Sequence, residues 1–215
     1  MGTTLLICSC ILALYFRQSS QQAALYRQLA TSASYFDTGE LTGEGSLLSE
    51  RDELYQQNPD MVGWIQIEGT RIDYPVMQTP ADPNYYLKHD FEKRYTDYGC
   101  PFMQADCDVL SQSDNLILYG HNMKDGSMFA DLAKYRSKDF WQTHKTVRFD
   151  TMEGGGAYEI FAVLHTTVQA EAADAFPFYR FVGAASPDEF ADYVSACQAR
   201  ALYDTGILRE SISAV

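Results

Sequence analysis

The chain has 215 residues, enough for one domain with an appendage, and its 46% of hydrophobic residues provide ample material for one core. Its formal net charge of −13 at pH 7 argues against a nucleic-acid partner, because nucleic acids are bound by clusters of basic side chains. The five cysteines and four histidines form no C-x-x-C or H-x-x-x-H pair, so we expect no metal site and no cofactor.

The N-terminal stretch Leu5–Phe16 is apolar and carries no charge. Counted from the first residue it offers about 16 residues, or roughly 24 Å of helix, whereas about 20 residues span a bilayer. It also lacks the basic residues that usually precede a signal sequence. A buried helix is the alternative, but the polar sequence that follows offers little to cover it. We predict that residues 1–17 are an incomplete membrane signal anchor, with Cys8 and Cys10 facing lipid. The protein would then be a single-pass protein of the cell membrane with its domain outside.

A helical stalk and a linker are predicted between this stretch and the domain, over residues 18–46. Ser19–Tyr35 is polar with apolar residues at helical spacing, and Thr38–Ser46 contains three glycines. The domain is predicted to occupy residues 47–215. It begins with a helix over Leu47–Gln57, which ends at Asn58 because the following proline disfavours helix in its predecessor.

The domain is predicted to be mainly β, with flanking helices, because short strand patterns outnumber helical ones. A short helix is expected over Met128–Tyr135, and the capping box Ser186–Glu189 begins another that runs to about Leu202. Many short strands with few helices favour a small closed barrel. The predicted strands are Val62–Ile67, Ile72–Met77 with Pro75 at an edge or bulge, Cys100–Gln104, Asn115–Tyr119, Thr146–Asp150 and Ala157–Thr167.

The fourth predicted strand ends in Gly120-His121, and this histidine is the candidate catalytic residue. Histidine transfers protons near neutral pH, and here it lies where a strand gives way to a loop. Gly120 allows a sharp turn or a close approach of the backbone to its neighbours. A histidine at a strand end also has structural or solvated roles, so the position alone leaves both alternatives open.

The residues around His121 resemble the histidine motif of class B sortases, membrane-anchored cysteine transpeptidases of Gram-positive cell envelopes. The matching residues are Tyr119–Met123 and Asp125–Phe129. The resemblance covers roughly Leu48 to Gly206, with further motifs in the order of the family. These motifs are Asn58–Trp64, Ile72–Val76, Tyr85–Leu87, His89–Phe91 and Leu202–Gly206.

The resemblance implies an eight-stranded sortase barrel, of which about six strands are present, and a reaction. A cysteine thiolate attacks the carbonyl of a threonine in the sorting signal of a secreted protein, and His121 protonates the leaving amine. An arginine stabilises the oxyanion, and an amine of a peptidoglycan precursor or a pilin resolves the thioester. Asn84 and Leu87 are implied to face the sorting signal, the alternative being a loop residue and a core leucine.

The nucleophile and the arginine are expected well after Asp204–Gly206, and neither stands at a matching position before Val215. Cys197 fits the apolar face of a helix. Cys100 and Cys107 flank the third predicted strand, and a disulfide between them is an open alternative. We expect an incomplete C-terminal part. The alternative is a catalytically inactive, membrane-tethered protein that at most binds sorting signals, and the coding DNA beyond the Val215 codon distinguishes the two.

Overall fold

A computed structural model describes residues 2–34, 53–110, 113–151, 154–166 and 176–212. Its helices are α1 (Gly2–Ser34), α2 (described over residues 53–57), α3 (Lys138–Thr143) and α4 (Pro187–Ala199). Short 3-10 helices cover Tyr85–Leu87, Phe129–Arg136, Phe178–Arg180 and Arg209–Ser211. The strands are β1 (Met61–Gln66), β2 (Asp73–Met77), β3 (Phe102–Met103), β4 (Leu118–Tyr119), β5 (Thr146–Thr151) and β6 (Gly155–Glu159).

The described strands form one six-stranded sheet in the order β4-β3-β2-β1-β5-β6. All neighbouring pairs are antiparallel except β2 and β3, which are parallel and pair only at Met77 and Phe102. The prediction of a mainly β fold with flanking helices and about six strands is therefore confirmed. The predicted linker Thr38–Ser46 lies outside the described residues, and the proposed domain boundaries stay a prediction.

The hairpin of β1 and β2 supplies the centre of the sheet and much of the core. Its turn needs glycine, because Gly69 has a φ of +75°. The side chains of Ile72, Val76 and Met77 have no exposed surface. Of the two positions expected for Pro75, an edge or a bulge, the edge is wrong, since β2 is an interior strand; the register of β1 against β2 shifts close by, between Met61 and Gly63. Proline is tolerated in β2 because β3 pairs with β2 only at Met77, so the ladder on that side needs no N–H from Pro75.

The segment between β2 and β3 is held on the sheet by two buried polar side chains. Asn58 donates from Nδ2 to the hydroxyl of Tyr86 (2.9 Å) and to the carbonyl of Phe91 (2.7 Å). Asp90 is fully buried and accepts from the backbone N–H groups of Glu92 and Arg94, both at 3.0 Å. It also forms an ion pair with the Arg94 guanidinium. The motifs around Tyr86 and Asp90 therefore have a structural role.

The N-terminal region is a single helix, α1, which packs against β2. Gln22, Tyr26 and Leu29 are buried on its domain-facing side. In the part of the chain that the structure describes, no helix has both the length and the apolarity to cross a bilayer. The prediction of a membrane anchor over residues 1–17, and with it a single-pass membrane location, is wrong. The apolar run is too short, and the same helix continues into polar residues that dock on the domain.

Local sequence signals placed the later elements well. The hairpin of β5 and β6 forms as predicted, although β6 ends at Glu159 rather than near Thr167. Helix α4 begins at the predicted cap, where Ser186 Oγ accepts from the backbone N–H of Glu189 (3.2 Å). The helix ends at Ala199, three residues before the predicted end at Leu202.

We predict that Asn58→Ala destabilises the protein by about 1–3 kcal/mol, because it leaves the buried carbonyl of Phe91 without its hydrogen-bond donor. Urea unfolding followed by circular dichroism measures the change. Gln57→Ala is the matched control, since Gln57 is the exposed preceding residue at the end of α2. Equal unfolding midpoints for the two variants would contradict the role of Asn58.

Candidate active site

His121 lies one residue beyond β4, and the packing of the intervening Gly120 fixes its position. A Cβ on Gly120 would lie 2.5 Å from the ring of Phe129, so this close approach admits only glycine. The chain then folds back, and Phe129 donates its backbone N–H to the carbonyl of His121 (2.8 Å). Met128 adopts a left-handed φ of +55°, and its N–H bonds to the hydroxyl of Tyr74 (3.1 Å). Residues 122–128 therefore form a constrained loop, called here the His121 loop.

Asp125 is the centre of the His121 loop. Its carboxylate accepts from the hydroxyl (2.6 Å) and backbone N–H (3.0 Å) of Ser127. It also accepts from the hydroxyls of Tyr98 (2.8 Å) and, from α1, Ser19 (2.9 Å). Burial by itself would raise the pKa of Asp125, but these hydrogen bonds outweigh it and lower the pKa to about 2. The loop is thus organised around a carboxylate that stays ionised.

A cavity of about 470 Å³ brings together all three residues that the sequence analysis singled out as site residues. His121, Asn84 and Leu87 all line it; Asn84 is the residue before the short Tyr85–Leu87 helix, and Leu87 is the last residue of that helix. Leu87 is 40% exposed, so the alternative of a core leucine does not hold. The cavity is lined by Pro83, Asn84, Leu87, Phe102, Gln104, Ala105, Tyr119, Gly120 and His121.

The electrostatic surroundings of His121 favour its neutral form. Partial burial lowers its pKa from 6.5, the nearby Lys88 ammonium lowers it further, and the Asp97 carboxylate acts in the opposite direction. Lys88 and Asp97 form an ion pair of 2.7 Å. Burial disfavours the charged imidazolium, so a smaller fraction of His121 is protonated at neutral pH than of an ordinary histidine. The imidazolium that does form is a stronger acid than an ordinary one.

Tyr119 and Gln104 are cavity residues that the sequence analysis missed. The hydroxyl of Tyr119 donates to Gln104 Oε1, and Gln104 Nε2 donates to the Asp106 carboxylate (2.7 Å). The Tyr119 ring lies 5.3 Å from that of Phe102, its partner across the β3–β4 ladder. Period-two alternation gave a signal for Tyr119, since it precedes His121 by two residues and belongs on the same side of the strand. No local pattern marked Gln104.

The three cysteines of the domain, Cys100, Cys107 and Cys197, are unsuited to nucleophilic attack. Cys100, Cys107 and Cys197 are free and buried, and burial raises the pKa of each thiol. None of them lines the cavity, and the disulfide left open between Cys100 and Cys107 does not form. In the described ranges, no three His, Cys, Asp or Glu side chains converge as metal ligands.

Comparison with known proteins agrees with this fold. Residues 65–186, more than half of the chain, match the family model "Sortase domain", so the chain belongs to the sortase family. Its relatives belong to class B, as the motifs indicated. The chain is 36% identical to sortase B of Listeria monocytogenes over 165 residues, which cover 76% of this chain and 63% of that protein. It is 35% identical to sortase B of Staphylococcus aureus over 118 residues, which cover 55% of this chain and 48% of that protein. The chain thus spans less than two thirds of the length of these relatives.

Solved structures show the same fold. The Staphylococcus aureus sortase B–substrate complex superposes with a TM-score of 0.79 at 23% identity, covering 92% of this chain and 85% of that one. Sortase B from Bacillus anthracis in complex with AAEK1 superposes with a TM-score of 0.72 at 29% identity, covering 90% and 86%.

We predict that His121 titrates below pH 6.5, that Lys88→Met raises its pKa and that Asp97→Asn lowers it. The ring C–H resonances in a proton NMR titration measure these values. A folded pKa below the unfolded one means that the contribution of His121 to stability is present above pH 6.5 and is lost as the pH falls through the folded value. Lys93→Met is the control, because Lys93 pairs with Asp60 on the same segment (2.8 Å). Shifts of the same sign in the Lys88 and Asp97 variants would contradict the assignment.

We also predict that Cys100, Cys107 and Cys197 resist alkylation by iodoacetamide in the native protein, because the reactive thiolate is disfavoured by burial. Mass spectrometry of proteolytic peptides reports each cysteine separately. The same reaction in urea, where all three sites are solvated, is the reference. Modification of any one at the same rate in both conditions would show that its thiol is accessible.

Proposed function

We propose that this chain forms the histidine side and the substrate-facing wall of a sortase-type cysteine transpeptidase. Such an enzyme cleaves a sorting signal after threonine and joins the acyl group to an amine of the cell wall or of a pilin. The observation that supports it best is the cavity shared by His121, Asn84 and Leu87. It combines a titratable group with exposed apolar and amide side chains, a combination that suits binding of an extended peptide.

In this reaction His121 first donates a proton to the leaving amine and later accepts one from the incoming amine. A thiolate adds to the threonine carbonyl, the C–N bond of the tetrahedral intermediate breaks, and the departing nitrogen takes a proton from the His121 imidazolium. The neutral imidazole then accepts a proton from the incoming amine as this amine attacks the thioester and the thiolate leaves. The lowered pKa of His121 favours a strong acid in the first half and a neutral base in the second.

The partners in this proposal are a secreted protein with a sorting signal and an amine acceptor. Two relatives support these classes, since one sortase B is known as a substrate complex and another as a complex with triglycine. The exposed Leu87 would pack on an apolar part of the signal, and the side chain of Asn84, which does not cap the following helix, offers an amide to the peptide backbone. The oxyanion-stabilising arginine and the nucleophile are assigned to no described cavity residue.

The second candidate function is a catalytically inactive protein that binds sorting signals. One observation favours it: Cys100, Cys107 and Cys197 are all buried, and none of them lines the cavity. The two candidates share the binding step and differ only in bond cleavage, so one set of peptides tests both.

The test uses the protein produced from its own gene and a library of short peptides with a fixed central threonine. We predict that Leu87→Asp weakens peptide binding at least about tenfold, because the contact of a leucine side chain is worth about 1.5–3 kcal/mol. Leu132→Asp is the matched control, since Leu132 is equally exposed, at 42% against 40%, and does not line the cavity. Equal loss in both variants would contradict a role of the cavity in binding.

Cleavage is measured with the same peptides in the presence of hydroxylamine, which traps a thioester as a hydroxamate. We predict that His121→Ala lowers the rate by about 10²–10⁴-fold while peptide binding persists, because the leaving amine loses its proton donor. Near-normal hydroxamate formation by this variant would refute the role of His121. Peptide binding without any cleavage by the unmodified protein would favour the inactive candidate.

A further inference from the structure

Helix α1 contacts the domain through polar side chains on successive turns, spaced so that they share one face of the helix. The described hydrogen bonds across this interface are Gln18 Nε2 to Thr96 Oγ1 (3.1 Å), Ser19 Oγ to Asp125 Oδ2 (2.9 Å), Gln22 Nε2 to Asp90 Oδ2 (3.1 Å) and Tyr26 Oη to the carbonyl of Gly99 (2.8 Å). The Tyr26 ring also packs edge-on against that of Tyr74 at 5.3 Å. Polar contacts of this kind fix the position of a helix more narrowly than apolar packing alone.

These contacts fall on two segments that each follow a cavity residue in the chain. Asp90, Thr96 and Gly99 belong to the segment that follows Leu87, and Asp125 belongs to the loop that follows His121. The face of α1 therefore bridges these two segments, although none of its residues lines the cavity.

Ser19 is the residue of α1 that hydrogen-bonds to the His121 loop directly. Its partner Asp125 also accepts from Tyr98, which lies on the segment that follows Leu87. One carboxylate therefore joins α1, this segment and the His121 loop. Hydrogen bonds to an ionised carboxylate are stronger than those between neutral groups. The backbone carbonyl of Asp125 is further held by the Arg71 guanidinium (2.8 Å), which leaves the carboxylate little freedom to find another partner.

We infer that Ser19 is a positioning residue of the candidate site, holding the His121 loop against α1 and the Tyr98 segment through Asp125. The significance of this contact for catalysis rests on the proposed function, but the contact itself does not. The competing view is that Ser19 only attaches α1 to the domain. That view predicts a loss of stability and no change at His121.

Loss of the Ser19 hydroxyl has a specific consequence at His121. Asp125 keeps Tyr98 and Ser127 as donors, so the loop stays folded but is held by fewer bonds. A looser loop admits water to the imidazole, whose pKa is lowered first of all by burial. The charged groups that act on His121, Lys88 and Asp97, make no contact with Ser19 and remain in place. The pKa of His121 therefore moves up, towards 6.5.

The experiment compares Ser19→Ala with Ser20→Ala in the full chain. Ser20 is the adjacent residue of the same type on α1, but its hydroxyl bonds to the carbonyl of Phe16 within the helix (2.9 Å). Ser19→Thr restores a hydroxyl and serves as the rescue variant. Proton NMR titration gives the pKa of His121 in each protein, and thermal unfolding gives the stability of each.

We expect Ser19→Ala to raise the pKa of His121 towards 6.5, Ser20→Ala to leave it unchanged and Ser19→Thr to return it to the original value. We expect Ser19→Ala to lower the unfolding temperature by no more than about 2–4 °C. A lower unfolding temperature with no change at His121, or equal shifts in both alanine variants, would overturn the inference. The titration needs no ligand, so its failure is separate from a failure of peptide binding or cleavage, which would overturn the proposed function alone.

Discussion

The arrangement of the site depends on one partly buried charge interaction, the set of hydrogen bonds to the Asp125 carboxylate. The groups that meet there come from α1, from the segment before β3 and from the His121 loop itself. Several donors aimed at one carboxylate favour its ionised form, and its pKa of about 2 keeps it ionised throughout the physiological range. These parts are far apart in the sequence, so this single group removes much of their freedom to move relative to one another.

The segment around Leu87 is supported in the same way, by polar side chains that are buried and hydrogen-bonded. Asn58 holds Tyr86 and Phe91, and Asp90 organises the turn that ends in Arg94. These side chains do not contact the cavity, but they fix the short helix on which Leu87 stands. An unpaired buried polar group costs about 1–3 kcal/mol, so such a network has only one well-satisfied arrangement. Rigid support of this kind allows an apolar side chain such as Leu87 to stay exposed at the cavity.

His121 shows how the fold selects the chemistry of a residue. His121 lies just beyond a very short strand, next to Gly120, whose backbone closely approaches the Phe129 ring, and it lines the cavity. Partial burial and the Lys88 ammonium together outweigh the Asp97 carboxylate, so the pKa falls. A group tuned in this direction releases a proton easily and is neutral afterwards. A transpeptidase needs both properties of the same residue, first as an acid and then as a base.

The sequence by itself determined the family, the mainly β class, the positions of β1, β2, the β5–β6 hairpin and the cap of α4, and the candidate His121. These rest on local signals, namely alternation, turn residues, a capping box and motifs of adjacent residues. Tertiary structure decided that Leu87 is exposed and shares a cavity with His121, Tyr119 and Gln104, because β3 and β4 meet through pairing between distant residues. It also decided that the polar part of α1 docks on the domain. An apolar run reports only its own composition, whereas docking depends on partners such as Asp90 and Asp125, which lie far along the chain and are brought to the helix only by folding.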